Sequence, residues 1–144
     1  MEPRKVSNVS LLDVYETPGA AAILWDLLRE RDPAANISHK RMPSMIEHVS
    51  FVNAVPYFEW WLIRARDDTG PFGTVFGACY ISRQYEIGIQ IFKAHQRRGI
   101  AREAIGLLLE MHRPQRFLAN INPMNEASQA LFRSFGFRLI QYTY

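Results

Sequence analysis

The stretch EIGIQIFKAHQRRGIA, residues 86–101, decides the fold because signals for a strand, a loop and a helix follow one another within it. Residues 85–92 have the branched and aromatic composition of a strand. A basic loop comes next, and the helix after it has one apolar face, formed by Ala101, Ala104, Ile105 and Leu108. The central unit of the fold is therefore predicted to be a strand, a basic loop and a helix.

The basic loop has the chemistry of a pyrophosphate site. Its residues are Gln96, Arg97, Arg98, Gly99, Ile100 and Ala101. Backbone N–H groups at a helix start attract phosphate, because they are unpaired donors at the positive end of the helix dipole. Gly99 lets the chain turn and lets an anion approach closely. The loop is neither a Walker motif nor a GxGxxG motif, and taken alone it fits a charged surface turn equally well.

A second motif, NEASQALFRSFGF at residues 125–137, favours the phosphate interpretation. The loop resembles the "Gln or Arg, x, x, Gly, x, Gly or Ala" signature of GNAT N-acetyltransferases, and the second motif resembles that family's "N-x-x-S-x-x-L … G-F" helix. The chain is therefore identified as a member of the GNAT superfamily, closest in motif style to the branch that acts on ribosomal proteins and small amines. The resemblance is specific over residues 85–137, and before them it rests on the order of elements.

We expect one GNAT domain over residues 1–144, of the α/β (α+β) class. Strands are predicted at residues 6–14, 58–66, 74–82, 85–92, 117–121 and 137–142. Helices are predicted from Thr17 and Pro18, within residues 43–57, near Ala101 and after an N-cap at Asn125, with Gly136 as a stop signal. The sheet should be mixed but mostly antiparallel, with about six strands and about four flanking helices. It should splay between the strand before the 96–101 loop and the strand at 117–121.

The resemblance implies acetyl-coenzyme A as the acyl donor, without a metal. Backbone groups of residues 89–92 would pair with pantetheine as an added strand does, and the amides of residues 97–101 would hold the pyrophosphate. Asn125 can be a helix cap and a pantetheine contact at once, since a cap uses only the side-chain oxygen. The implied cofactor-binding residues are Ile89, Ile91, Phe92, Gln96, Arg97, Arg98, Gly99, Ile100, Ala101, Asn125, Ser128 and Phe132.

Direct acetyl transfer requires an amine that has lost a proton and can attack the thioester. Glu86 stands where several GNAT enzymes place the base, although an exposed strand carboxylate is an equally good interpretation. The family's usual acid is a tyrosine at the position of Phe132. Tyr142 or Tyr144 could replace it, or the thiolate could leave unaided. His48 is a further candidate in the acceptor pocket, against the alternative of a structural histidine.

Composition and charge restrict the partners of the chain. A net charge of +3 is too small to indicate nucleic-acid binding, and no long apolar run indicates a membrane span. Cys79 is predicted to be a buried strand thiol, and His39, His95 and His112 lack metal-ligand spacing. We therefore expect a cytoplasmic enzyme whose acceptor is a small-molecule amine or a peptide N-terminus.

The chain ends soon after Phe137, where many relatives continue into a further strand. Because unpaired strand edges invite pairing, this ending predicts a homodimer. Together with Phe132 it also leaves a second function open, a catalytically silent acyl-coenzyme A binding or regulatory module of the same fold. Cofactor binding without acetyl transfer would distinguish that module from an enzyme.

Overall fold

An antiparallel sheet is the centre of the computed structural model, which describes residues 8–31, 42–66 and 72–142. The strands, in spatial order, are β1 (Val9–Asp13), β2 (Glu59–Ala65), β3 (Val75–Ile81) and β4 (Ile87–Ile91). Strands adjacent in the sheet are therefore adjacent in sequence. The predicted hairpin is confirmed as β2 and β3, in which Trp60 lies opposite Tyr80.

Helices cover both faces of this sheet. The α-helices within the described ranges are α1 (Ala20–Arg29), α2 (Met45–Asn53), α3 (Ile100–Met111) and α4 (Glu126–Ser134). α2 begins with a capping box, because the Ser44 hydroxyl accepts the Glu47 N–H (3.1 Å) and the Glu47 carboxylate accepts the Ser44 N–H (3.3 Å). The predicted cap of α4 is confirmed, since Asn125 Oδ1 accepts the Ser128 N–H at 3.1 Å. The α+β class is confirmed.

The predicted start of α1 at Thr17 was wrong. Thr17 instead ends the short 3-10 helix before α1: its N–H donates to the Val14 carbonyl, and its hydroxyl donates to the Asp13 carbonyl at 2.6 Å. Gly19 occupies the N-cap position with a φ of 87°, a left-handed conformation that glycine adopts without a steric cost. The helix therefore begins at Ala20.

Side chains alternate between two cores, one on each face of the sheet. On the α3 face, the buried residues include Ile63, Cys79, Ile81, Ile105 and Leu108. The face of α1 and α2 buries another set, which includes Leu24, Val52, Trp60, Leu62 and Ala78. Because β2 and β3 are covered on both faces, their sequences are apolar at nearly every position.

Residues 117–121, predicted as a strand, touch the sheet at one point. The Ile87 N–H donates to the Leu118 carbonyl (2.8 Å), and Glu86 and Leu118 form a single parallel bridge. Phe117 is buried in the core on the α3 face, so this apolar run contributes its side chain to packing while most of its backbone stays outside the sheet.

The final predicted strand, at residues 137–142, is also absent from the described structure. Leu139, Ile140 and Tyr142 are exposed there, and residues 137–142 form no strand. An alternating pattern produces a strand only where a neighbouring edge supplies hydrogen bonds. In the described residues the sheet therefore has the four strands above rather than about six. None of the helices in those residues is long and apolar enough to cross a membrane.

Candidate active site

The loop between β4 and α3 presents a row of free backbone donors. Arg97 and Gly99 both have left-handed conformations, with φ of 63° and 77°. The first α-helical bond runs from the Glu103 N–H to the Gly99 carbonyl at 3.1 Å. No acceptor within the described ranges receives the N–H groups of residues 97–102. These donors, at the positive end of α3, can hold an anion such as a pyrophosphate.

The cationic side chains of the loop lie beside this cradle. Arg98 Nη1 is 2.9 Å from His95 Nδ1, and its guanidinium lies 5.4 Å from the centre of the Phe76 ring. Arg102 lies over the Phe135 ring at 5.9 Å. Arg97 is exposed. The backbone therefore supplies the direct donors, and the arginines surround them with positive charge.

β4 has a free edge beyond its bridge to residue 118. Because alternate residues of a strand direct their backbone groups to the same edge, Ile89 and Ile91 face the side on which Ile87 donates to Leu118. Gln96 Nε2 donates to the Ile91 carbonyl at 3.2 Å. The Ile89 N–H and carbonyl have no partner in the described structure. This gap is the predicted splay, and a ligand with amide groups can pair along it.

Glu86, the candidate base, directly precedes β4. It lies at the bridge to Leu118, beyond which the edge of β4 is free. Its Oε2 accepts a hydrogen bond from Asn120 Nδ2, and its N–H donates to the Ser82 hydroxyl at 3.0 Å. Asn120 therefore orients the carboxylate. The sequence reasoning missed Asn120, because this residue comes from the other side of the splay and belongs to no motif.

Tyr80 covers β4 next to Glu86. A Cβ atom at Gly88 would lie 2.2 Å from the Tyr80 ring, so the glycine leaves the space that the ring occupies. Tyr80 stacks on Tyr57, with ring centres 3.9 Å apart and planes 7° from parallel. The close approach of a ring explains why a glycine lies within a strand, and that glycine is the one sequence signal that could have indicated it.

Tyr57 is itself held by Tyr15. The Tyr57 N–H donates to the Tyr15 hydroxyl at 3.1 Å, and that hydroxyl donates to the Tyr57 carbonyl at 3.0 Å. Burial raises the pKa of Tyr15, Tyr57 and Tyr80, so their hydroxyls stay protonated at neutral pH. The bond between the Tyr57 and Tyr80 hydroxyls raises the pKa of Tyr57 further and lowers that of Tyr80.

The other candidate catalytic residues lie apart from this group. His48 is buried in α2 against Ala21 of α1, and burial lowers its pKa. Its Nε2 has no hydrogen-bond partner among the described residues. Tyr142 is exposed on the C-terminal segment, and Tyr144 lies outside the described residues. Phe132 is only 4% exposed and packs edge-on against Phe137.

The thiol of Cys79 is buried, as predicted, and burial raises its pKa. It is therefore a core residue rather than a nucleophile. Groups of three or more His, Cys, Asp or Glu side chains that could hold a metal are not found in the described parts of the chain. Independence from metal stays a prediction.

A family model described as "Acetyltransferase (GNAT) domain" matches residues 25–138. The match covers most of the sequence, and the chain belongs to the GNAT acetyltransferase family. Members of this family use acetyl-coenzyme A, which fits the free donors of the cradle and the free edge of β4. Comparison with curated proteins gives no match.

Solved structures confirm the fold. Spermidine N-acetyltransferase from Vibrio cholerae, in complex with CoA and spermine, aligns with a TM-score of 0.76 and 15% identity, over 94% of this chain and 83% of that one. An acetyltransferase from Thermus thermophilus aligns with a TM-score of 0.73 and 20% identity, over 94% and 90%. A phosphinothricin acetyltransferase from Sinorhizobium meliloti aligns with a TM-score of 0.64 and 20% identity, over 94% and 77%.

Proposed function

We propose that this protein transfers an acetyl group from acetyl-coenzyme A directly to a primary amine. The observation that carries the proposal is the row of unpaired N–H groups at residues 97–102, continuous with the free edge of β4. When bound, acetyl-coenzyme A supplies the activated acyl group. The amides of the loop and the edge groups of Ile89 and Ile91 hold the cofactor, with Asn125 and Ser128 on the opposite side of the splay.

Glu86 is the proposed base, oriented by Asn120. A carboxylate in this position takes a proton from the ammonium form of the acceptor, directly or through water, so that the neutral amine can attack. No acid is assigned on α4, since Phe132 carries no hydroxyl and is buried. A departing thiolate tolerates this absence, because a thiol with a pKa near 8.5 is a fair leaving group.

We propose that the acceptor is a small-molecule amine or a protein N-terminus, in the style of the ribosomal-protein and small-amine branch. Two of the similar solved structures are named for small amines, spermidine and phosphinothricin. The buried Phe132 favours the second candidate, a cofactor-binding module without catalysis. The cytoplasmic location and the homodimer stay predictions.

Calorimetric titration with acetyl-coenzyme A tests the cofactor site through Gly99→Glu. The new carboxylate lies at the anion cradle, so we expect the Kd to rise by roughly 100-fold or more. Gly136→Glu is the matched control, because both glycines have positive φ values, 77° and 88°, and a Cβ atom added at either position would meet open space. Equal affinity in both variants would overturn the proposed cofactor site.

An assay for free thiol, run with a panel of amines, separates the two functions. Thiol release that depends on an added amine supports the enzyme. Tight binding of acetyl-coenzyme A without thiol release from any amine supports the silent module. Absence of cofactor binding by the unmodified protein contradicts both.

A further inference from the structure

A cavity of about 430 Å³ lies at the C-terminal end of α3, away from the anion cradle. Its lining combines Phe58 and Tyr85, which precede β2 and β4, with residues of the 112–116 turn that follows α3. The twelve residues of α3 separate this turn from the cradle by about 18 Å along the helix axis. A cavity of this volume accommodates a small molecule, and it is separate from the cofactor site.

Aromatic rings form one wall of this cavity. The rings of Tyr85 and His112 lie edge-on to Phe117, with ring centres 6.2 and 5.9 Å apart, and Phe58 lies edge-on to Tyr85 at 6.3 Å. Phe117 is buried in the core on the α3 face, so it fixes the rings in front of it. Phe58 and Tyr85 are nevertheless 51% and 42% exposed. An aromatic ligand can therefore pack against them.

The backbone holds Tyr85 in this wall in a costly conformation. Its φ of 61° is in the left-handed region, which bulky residues rarely adopt. The Tyr85 N–H donates to the Ser82 carbonyl at 3.0 Å, and its carbonyl accepts the Leu118 N–H at 2.9 Å. Conformations of this kind persist where the surrounding structure enforces them, and they cluster at ligand sites.

The carboxylates that contact the cavity lining already have partners. Glu59 Oε2 lies 2.9 Å from His112 Nε2, and Glu59 Oε1 accepts a hydrogen bond from Trp61 Nε1 at 2.9 Å. Glu110 Oε2 lies 3.2 Å from Arg113 Nε. Neither glutamate is part of the lining itself. A cationic ligand would therefore have to displace an existing ion pair.

Arg116 supplies positive charge that is not neutralised in this way. It lines the cavity and is exposed, and its side chain makes no hydrogen bond or ion pair with the described residues. Arg113 has donors beyond the one that pairs with Glu110, because a guanidinium carries several N–H groups. The C-terminal end of α3 contributes a partial negative charge of about half a unit, which is smaller than the full charge of Arg116. One anionic group would therefore be complementary to this cavity.

We propose that this cavity binds a small aromatic ligand with one carboxylate or phosphate group, whose ring packs against Phe58 and Tyr85 and whose anion binds Arg116. Arg113 adds a second guanidinium to the same turn. Arginine suits this role because its planar group binds either anion through paired hydrogen bonds. The inference does not depend on the proposed acetyl transfer, since none of these residues holds the cofactor or the candidate base.

Titration of the full chain, followed by amide NMR spectra, tests the ligand class. Benzoate and phenyl phosphate are the anionic probes and distinguish carboxylate from phosphate. Benzamide lacks the charge, whereas acetate and inorganic phosphate lack the ring. We expect at least one anionic probe to bind with a Kd of about 1 mM or lower, and each control compound to bind about tenfold or more weakly.

The same spectra locate the site. The amide signals of Tyr85 and Gln115 should shift, because both residues line the cavity. The indole N–H of Trp61 should shift with them, since it bonds the Glu59 carboxylate that His112 contacts. The amide signals of residues 97–102 should not change, which distinguishes this cavity from the anion cradle.

Variants test the two halves of the proposed site. Arg116→Gln should raise the Kd of the anionic probe about tenfold, and Arg116→Lys should raise it less because the charge remains. Tyr85→Asn removes the ring at a φ that asparagine tolerates, so binding should weaken severalfold in a folded protein. Arg133→Gln, in the last turn of α4, is the control and should leave the Kd unchanged. Amide spectra of each variant show whether the fold is intact.

Three results would overturn the inference. These are the absence of saturable shifts with both anionic probes or shifts confined to residues 97–102, equal binding of benzamide, and a Kd that is unchanged in both Arg116→Gln and Tyr85→Asn. Titration with acetyl-coenzyme A is a separate experiment, and its failure would overturn the proposed function alone.

Discussion

The two ends of the candidate site are built in different ways. At residues 97–102 the candidate anion donors are backbone amides, and a few consecutive residues supply them all. On the opposite side, Tyr15, Tyr57 and Tyr80 come from separate elements and meet only in the folded protein. The comparison teaches that a site made of backbone leaves a local motif, whereas a site made of distant side chains leaves none.

The largest expected effect separates chemistry from cofactor binding. Glu86→Gln removes the proposed base, so kcat should fall by about 100- to 10,000-fold while the Kd of acetyl-coenzyme A stays unchanged. Steady-state kinetics and calorimetry measure the two quantities. Glu110→Gln is the control, because Glu110 is exposed at the end of α3 and pairs with Arg113 at 3.2 Å. Equal activity in both variants would remove Glu86 from the mechanism.

A smaller effect is expected from Gly88→Ala, which disturbs the packing of Tyr57 and Tyr80 and leaves the loop at residues 97–102 unchanged. The new Cβ would lie 2.2 Å from the Tyr80 ring, so the ring must move and the stack with Tyr57 is lost. We expect a loss of about 1–3 kcal/mol in the free energy of unfolding and a raised KM for the acceptor. The Kd of acetyl-coenzyme A should be unaffected. A change confined to cofactor binding would show that the two ends of the site are not separate.

Phe132→Tyr asks whether α4 can provide the family's usual hydroxyl. Phe132 is 4% exposed, so the added hydroxyl would be buried, at a cost of about 1–2 kcal/mol if it finds no partner. We expect chemical denaturation to show this loss and kcat to stay unchanged. An increase in kcat would instead show that the new hydroxyl reaches the reacting groups. In that case α4 would contribute to catalysis.

The smallest effect concerns pH and His48. Burial lowers the pKa of His48 in the folded protein, so below the unfolded value of about 6.5 the unfolded chain binds the proton more strongly. The contribution of neutral His48 to the free energy of unfolding is therefore fully present above about pH 6.5. It falls as the pH decreases towards the pKa of the folded protein, by at most about 1.4 kcal/mol per pH unit. His48→Gln should lose this dependence. Denaturation curves at pH 7.5 and 5.5 give the change in the free energy of unfolding between the two pH values. An equal change in the unmodified protein and in His48→Gln would show that His48 does not cause this pH dependence.

Local signals predicted the elements that depend on local interactions. The β2–β3 hairpin, the cap at Asn125 and the anion loop at Gly99 were all predicted, because composition, side-chain capping and glycine conformation act over a few residues. Residues 117–121 and 137–142 were predicted as strands but are not, since a strand also needs a partner edge. Their alternating residues show which side chains are apolar, not where that edge lies.

The sequence by itself therefore determined the GNAT family, the α+β class and the position of the glycine-containing loop before α3, the candidate anion cradle. The tertiary structure alone decided that Asn120 orients Glu86, that Phe132 and His48 are buried, and that Tyr80 covers Gly88. The physical reason is distance along the chain. Contacts between residues far apart in sequence depend on how whole elements pack, and no short motif encodes that packing.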